Sequence, residues 1–197
     1  MAQITTSIEV IVGPRDRTSV LFRGILVVPT IIFLGLFSRN WSSQDTMVLG
    51  SGVIVAPTVV ALVFRGVYPS YVYSFNRALL ELSTRVAAYL FLLTDDYPSI
   101  EANSKISVEF PDVENGVKLN QFLPLVKWFL AIPLYLVGMV YVLYSLLTTI
   151  LAWFITWTSG NYPDWAPAPV IATISYWNRV YGYAFILVTD EYPSFSL

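Results

Sequence analysis

The chain has 197 residues, of which 56% are hydrophobic and only 12% charged, and it contains no histidine and no cysteine. Its net charge of −2 gives no basic field for nucleic acid. Without histidine or cysteine it has no Ser-His-Asp hydrolysis, histidine-ligated haem, zinc chemistry of the usual kind or disulfide framework. A soluble domain is about 25% charged, so this composition and a mean hydropathy of +0.64 predict an all-α integral membrane protein.

The opening MAQITTSIEVIV has no basic region and no early apolar core, so no signal peptide is expected. Ile8, Val10 and Val12 alternate within Thr6–Val12, which predicts a short strand that Gly13-Pro14 stops. Val20–Phe37 is apolar apart from Arg23, and Met47–Phe64 is a second apolar run after the polar segment Ser38–Thr46. Each run approaches the minimum that spans a bilayer, and together they read as a two-span hairpin over about 20–37 and 47–64. Asn40-Trp41-Ser42 in the connecting loop is a glycosylation triplet of little weight. Trp41, Tyr68, Trp128, Trp157 and Tyr162 fall near expected interfaces, where amphipathic rings settle.

Residues 71–93 differ in kind. Ser74, Arg77, Glu81 and Arg85 form one polar stripe, with Arg77–Glu81 and Glu81–Arg85 spaced for i,i+4 ion pairs. This predicts an amphipathic helix that lies in the membrane interface or covers other helices. Ile106, Val108 and Phe110 alternate as a second strand. Leu123–Trp157 is then a 35-residue run with one charge, Lys127. One helix of that length would measure about 52 Å, against a hydrocarbon core of about 30 Å, so a tight hairpin turning within Val140–Thr149 is expected. A second aromatic helix follows over about 170–188.

The second half repeats the motifs of the first in order. Gly66-x-Tyr68-Pro69 matches Gly160-x-Tyr162-Pro163, Arg85-Val86 matches Arg179-Val180, and Tyr89 matches Tyr183. Thr94–Ser99 (TDDYPS) matches Thr189–Ser194 (TDEYPS) with one extra residue in the second copy. Arg23 lies six residues before Pro29, and Lys127 six before Pro133. The expected organisation is therefore two tandem modules, 1–103 and 104–197. Each is a two-span hairpin plus an amphipathic interfacial helix, with short strands outside the membrane. Four spans would leave Arg39 as the sole Lys or Arg on the loop side, which places both termini in the cytoplasm. Arg23 and Lys127 would snorkel to the interface.

The segments RVAAYLFLLTDDYPSI and RVYGYAFILVTDEYPSFSL, with the Tyr-Pro breaks before them, resemble the prokaryotic membrane family known as domain of unknown function 4389. That family more often closes on Tyr-Pro-Pro-Phe, where this chain has Tyr-Pro-Ser-Ile and Tyr-Pro-Ser-Phe. The resemblance covers nearly the whole chain and implies a prokaryotic inner-membrane protein; it implies no activity.

Candidate contacts to lipid or to a partner are Arg85, Arg179, Asp95, Asp96, Asp190, Glu191, Tyr97 and Tyr192. The paired acids Asp95-Asp96 and Asp190-Glu191 could bind a divalent cation. Turn chemistry is favoured, because two adjacent acids are too few ligands. Arg85 and Arg179 could hold a lipid phosphate or pair with the Asp of their own module, tying helix to turn. No acid falls within an expected span, which disfavours ion-coupled transport. The expected function is a non-catalytic membrane subunit or scaffold, without cofactor or metal. It would bind lipids and either other membrane subunits or itself. The alternative is a small lipid or hydrophobic-molecule carrier with a site between the two modules.

Overall fold

The computed structural model describes residues 3–10, 13–38, 55–101, 105–113 and 119–197. In chain order the elements are β1 (Thr5–Ile8), α1 (Arg17–Leu26), α2 (Val28–Ser38), α3 (Ala56–Arg65), α4 (Ser70–Leu90), β2 (Ile106–Glu109), α5 (Lys127–Leu130), α6 (Ile132–Ser159) and α7 (Pro167–Tyr181). A 3-10 turn at Leu123–Leu125 precedes α5, and a π-helical turn, Gly182–Ile186, extends α7. The protein is mostly helical. Two stretches, Arg17–Phe37 and Ile132–Ser159, are long and apolar enough to cross a membrane. The loop after α2, with Arg39 and Asn40, and the start of the second apolar run lie outside the described residues.

The hairpin expected inside Leu123–Trp157 does not form. α6 runs unbroken for 28 residues, about 42 Å at 1.5 Å per residue. Nothing in Val140–Thr149 breaks a helix, since its residues are apolar or small hydroxyl types. The run is shortened at its start instead. Proline lacks the N–H that would bond the carbonyl four residues back. Pro133 therefore interrupts the ladder, and the chain turns at the fully buried Ala131 between α5 and α6. Pro29 does the same at Val27, also fully buried, between α1 and α2. With one helix in place of two spans, the count of Lys and Arg by side loses its basis.

The two strands pair with each other. β1 and β2 are antiparallel, with Thr5 opposite Glu109 and Ile8 opposite Ile106. Alternation sends Ile4, Ile106 and Val108 inward and leaves Thr5, Ser7, Glu9 and Glu109 exposed. The inner face packs on α4 and α7. Val108 and Phe110 cluster with Val72 and Leu80, while Ile8 and Ile106 cluster with Val170 and Ile174. α4 and α7 run antiparallel. Ala88 and Leu93 meet Val170 and Ile174, and Leu80 meets Ile186 and Leu187. Where they cross, the buried Asn178 Nδ2 donates to Thr84 Oγ1 at 3.1 Å and to Thr6 Oγ1 at 2.9 Å. The polar stripe of α4 runs from exposed Ser74 and Arg77 through half-buried Glu81 to buried Arg85. Its two i,i+4 pairs form, Arg77–Glu81 at 3.3 Å and Arg85–Glu81 at 3.2 Å.

Positions matched in the sequence carry matching local chemistry. Asp16 accepts from the Thr18 and Ser19 amides, and Asn120 from those of Phe122 and Leu123, each satisfying two free donors. Gly66 and Gly160 stop α3 and α6 in the left-handed region, at φ 64° and 80°. Leu92 and Leu187 both adopt φ 65°, and both are buried. That conformation costs roughly 1–2 kcal/mol for a residue with a Cβ, and burial of each leucine offsets it. The extra residue of the second half falls between Tyr183 and Thr189. It coincides with the π turn, the helical form that accommodates one inserted residue.

Candidate functional site

In each half a buried cation from the helix before the proline lies over a tyrosine ring, against the turn that follows α4 or α7. Arg23, on α1, donates to the carbonyls of Tyr89 at 2.7 Å and Thr94 at 2.8 Å, and pairs with Asp95. Its guanidinium lies 4.6 Å from the Tyr89 ring centroid. Lys127, on α5, donates to the Thr189 carbonyl at 2.7 Å and forms an ion pair with Asp190 at 2.6 Å. Its ammonium lies 5.3 Å from the Tyr183 ring. Both side chains are sealed, at 3% and 0% exposure, so they do not snorkel as expected. The reason is local. The helix ends at Leu92 and Leu187 turn carbonyls inward, and a buried cation is tolerated where acceptors converge on it.

The eight candidate contacts belong largely to these turns. Asp95 also accepts Arg15 at 2.9 Å, and Asp190 also accepts the Asn120 amide at 2.7 Å. Asp96 pairs with Lys105 at 2.6 Å, and that hydrogen bond raises the exposed ammonium above its ordinary range. The Asp96 and Glu191 amides donate to Thr94 Oγ1 at 3.1 Å and Thr189 Oγ1 at 3.2 Å, closing the same small turn twice. Tyr97 bonds Thr30 Oγ1 at 2.9 Å, and Tyr192 donates to the Leu130 carbonyl at 3.1 Å.

Arg85 and Arg179 do tie helix to turn, but not through the aspartates. Arg85 donates to the carbonyls of Ser99 at 3.0 Å and Glu101 at 2.7 Å, and Arg179 to that of Ser196 at 2.7 Å. The aspartates are already held by Arg15, Arg23 and Lys127. Among the described residues no group of three acids is placed to hold a metal ion.

Tyr68 anchors the other end of α4. Its hydroxyl donates to the Ile186 carbonyl at 2.7 Å and accepts from Asn76 at 3.4 Å. Burial pushes its phenol up to about 12, and the bonds with Asn76 and Thr58 pull the other way.

The recess suited to a ligand lies elsewhere, between α4 and α7. It is a cleft of about 350 Å³ walled by Leu80, Ala87 and Phe91 on one side and Val170, Ile174 and Trp177 on the other, with Val142 and Ser145 of α6 at its flank. No described residue of β1 or β2 lines it, so it lies on the side of the α4–α7 pair away from the sheet. Its hydroxyls are already engaged. Ser83 and Thr84 donate to the carbonyls of Leu79 and Leu80, each at 2.8 Å, and Ser145 donates to Thr173 at 2.7 Å. The walls therefore present mostly carbon, in a volume within the range of small-molecule sites. The Trp177 indole N–H has no partner among the described residues. Residue spacing alone did not reveal this cleft, because its walls come from helices about 94 residues apart. The one usable signal was the absence of large polar side chains at Leu80, Ala87 and Phe91.

The chain matches no protein-family model, no curated protein and no solved structure.

Proposed function

We propose that this is a non-catalytic, membrane-embedded protein of two repeated modules that holds a hydrophobic molecule, such as a lipid acyl chain, in the cleft between them. The observation that carries this reading is the α4–α7 cleft, carbon-lined and placed where the two halves meet. Apolar walls with engaged hydroxyls favour a chain-like apolar ligand over a charged or strongly hydrogen-bonding one. The matched contacts of Arg23 with Asp95 and Lys127 with Asp190 support the two-module reading. The absence of histidine and cysteine supports a binding role over a catalytic one. The resemblance to the domain of unknown function family 4389 supports a prokaryotic inner membrane as the location. Gln3 Nε2 donates to the Tyr192 carbonyl at 3.3 Å, which supports both ends lying on one side, in this reading the cytoplasmic one.

The second reading, a scaffold for other membrane subunits or for its own copies, is favoured by the exposed apolar face of α6, with Leu136, Met139 and Leu147 each above 60% exposure. One experiment separates the two. The protein is extracted in mild detergent and delipidated in steps, and everything retained is identified by mass spectrometry, for wild type and Ala87→Phe. The carrier reading expects a near-stoichiometric apolar molecule in wild type that Ala87→Phe excludes while remaining folded. Equal retention in both, or none in either, overturns it. Stoichiometric membrane proteins retained by both variants establish the scaffold.

A further inference from the structure

The orientation in the membrane follows from how the layers stack. On α7, Pro169, Thr173, Tyr176 and Val180 meet α6, whereas Ile174 and Asn178 meet β1, and Gly182 of the following π turn meets Ile4 just before β1. At 3.6 residues per turn these stripes lie roughly half a turn apart. α7 is therefore sandwiched between sheet and α6. α4 repeats the arrangement, with Phe75, Val86 and Tyr89 against α2 and its approaches, and Tyr73 against Phe110 beyond β2. The order is sheet, then α4 with α7, then the α1–α2 pair with α6.

The outer surfaces are opposite in character. Glu9 and Glu109 stand exposed on the sheet. α6 contains no charged residue, and Leu136, Leu143, Leu147 and Phe154 project from the face away from α7, each more than half exposed. Ile25, Ile32 and Leu36 do so on the α1–α2 pair. Helices about 10 Å wide and of these lengths offer roughly 700 Å² together, above the few hundred Å² a monomer leaves to water.

The sheet also runs alongside the helices. Ile4 packs at Gly182, Thr6 bonds Asn178 in the last turn of α7, Ile8 packs with Ile174 midway along it, and Pro14 bridges Asn161 beyond the far end of α6. If α6 stood upright across a bilayer, β1 and β2 would lie at hydrocarbon depth, with exposed carboxylates and open strand edges. Each unsatisfied backbone group there costs several kcal/mol, and a carboxylate about as much or more. Laying the helices flat removes both costs.

We infer that the protein lies along one leaflet: α6 and the α1–α2 pair run parallel to the membrane plane, their apolar face among the acyl chains, and the β1–β2 sheet faces water. The length of α6 then serves to cover membrane area, not to cross it. An amphipathic layer buried roughly 5–10 Å is the ordinary depth of such an arrangement. The α4–α7 cleft, on the side away from the sheet, would face the acyl chains from which its ligand comes.

This inference rests on the membrane location proposed above, and the test separates the two. The chain has no cysteine, so single cysteines report without background. Gln121→Cys and Asp164→Cys flank the two ends of α6, Glu109→Cys marks the sheet, and Leu143→Cys marks the apolar face. Each is treated with a membrane-impermeant maleimide in sealed right-side-out and inverted vesicles. The flat orientation expects Gln121→Cys, Asp164→Cys and Glu109→Cys to react from the same side. Leu143→Cys should react only after detergent, and a bimane placed there should lose at least half its fluorescence in vesicles of bromo-acyl lipid. Labelling of the two α6 ends from opposite sides, an unreactive Glu109→Cys, or an unquenched bimane overturns the inference. A chain recovered from the soluble fraction would instead sink the membrane location itself.

Discussion

Removing the Asp190 carboxylate tests the energetics of the buried Lys127 cation, since the carboxylate's other bond, from the exposed Asn120 amide, passes to water. In wild type the fully buried Lys127 ammonium has three supports: the Asp190 carboxylate, the Thr189 carbonyl and the Tyr183 ring. Asp190→Ala leaves that charge with one carbonyl and a ring face. Breaking a buried pair by removing one partner costs about 3–5 kcal/mol, which at roughly 2–4 °C per kcal/mol for a chain of this size is about a 10 °C drop in Tm. The matched substitution Asp95→Ala is expected to cost less, on the order of 1–2 kcal/mol. The Asp95 side chain is 36% exposed against 14% for Asp190, so water screens it; of the two buried cations it serves, Arg23 keeps two carbonyl acceptors and Arg15 keeps the Leu93 carbonyl. In the double variant Lys127→Met, Asp190→Ala neither charge remains, and stability should return to within about 1 kcal/mol of wild type. Thermal melts of wild type, Lys127→Met, Asp190→Ala and the double variant in one detergent form a double-mutant cycle, with Asp95→Ala melted beside them. If Asp190→Ala loses less than Asp95→Ala, or if the double variant is as unstable as Asp190→Ala, the account of Lys127 as a charge held mainly by Asp190 is wrong.

Three further outcomes test other parts of the structure. Asn178→Ala strands Thr6 and removes the bond to Thr84, for a loss of about 1–3 kcal/mol. Asn178→Thr, which copies the matched residue Thr84, should recover part of that loss in the same melt. Gly160→Ala places a Cβ at φ 80°, 3.2 Å from Arg17 Nε, and should cost about 1–2 kcal/mol; Gly160→Asn, a tolerated left-handed residue, should cost less. Tyr68→Phe loses the bond to the Ile186 carbonyl, worth about 1 kcal/mol near neutrality. The folded phenol titrates near 12 against about 10 in the unfolded chain. The stability it contributes is therefore fully present below pH 10 and lost as pH rises from 10 to 12. Wild type should lose its advantage over Tyr68→Phe across that window in denaturant titrations, and an advantage that stays constant would contradict the burial of Tyr68.

Much of the local structure was written in the sequence. Strand alternation came through at Ile106 and Val108, with Phe110 buried just past the strand, because a sheet face repeats every two residues. The ion pairs of Glu81 with Arg77 and Arg85 came through because i,i+4 spacing places charges side by side whatever lies beyond the helix. The stops at Gly66 and Gly160 did so because glycine enters the left-handed region without the cost that Leu92 and Leu187 carry there. Composition excluded histidine and cysteine chemistry outright.

What the sequence left open were quantities set by distant segments. That α6 is one helix depended on whether something between Val140 and Thr149 would turn the chain, and length against bilayer thickness was the wrong criterion for a helix with no breaker. The fate of Arg23 and Lys127 was decided by inward-facing carbonyls at Thr94 and Thr189, 71 and 62 residues away. An isolated span would have left those cations to seek water. The pairing of β1 with β2, the crossing at Thr84 and Asn178, and the cleft beside it each join segments about a hundred residues apart. Periodicity tells a residue which face of its own helix or strand it occupies. Only tertiary packing tells that face whether it meets a sheet, a second helix or an uncovered apolar surface, and that is the distinction on which both the proposed ligand and the proposed orientation depend.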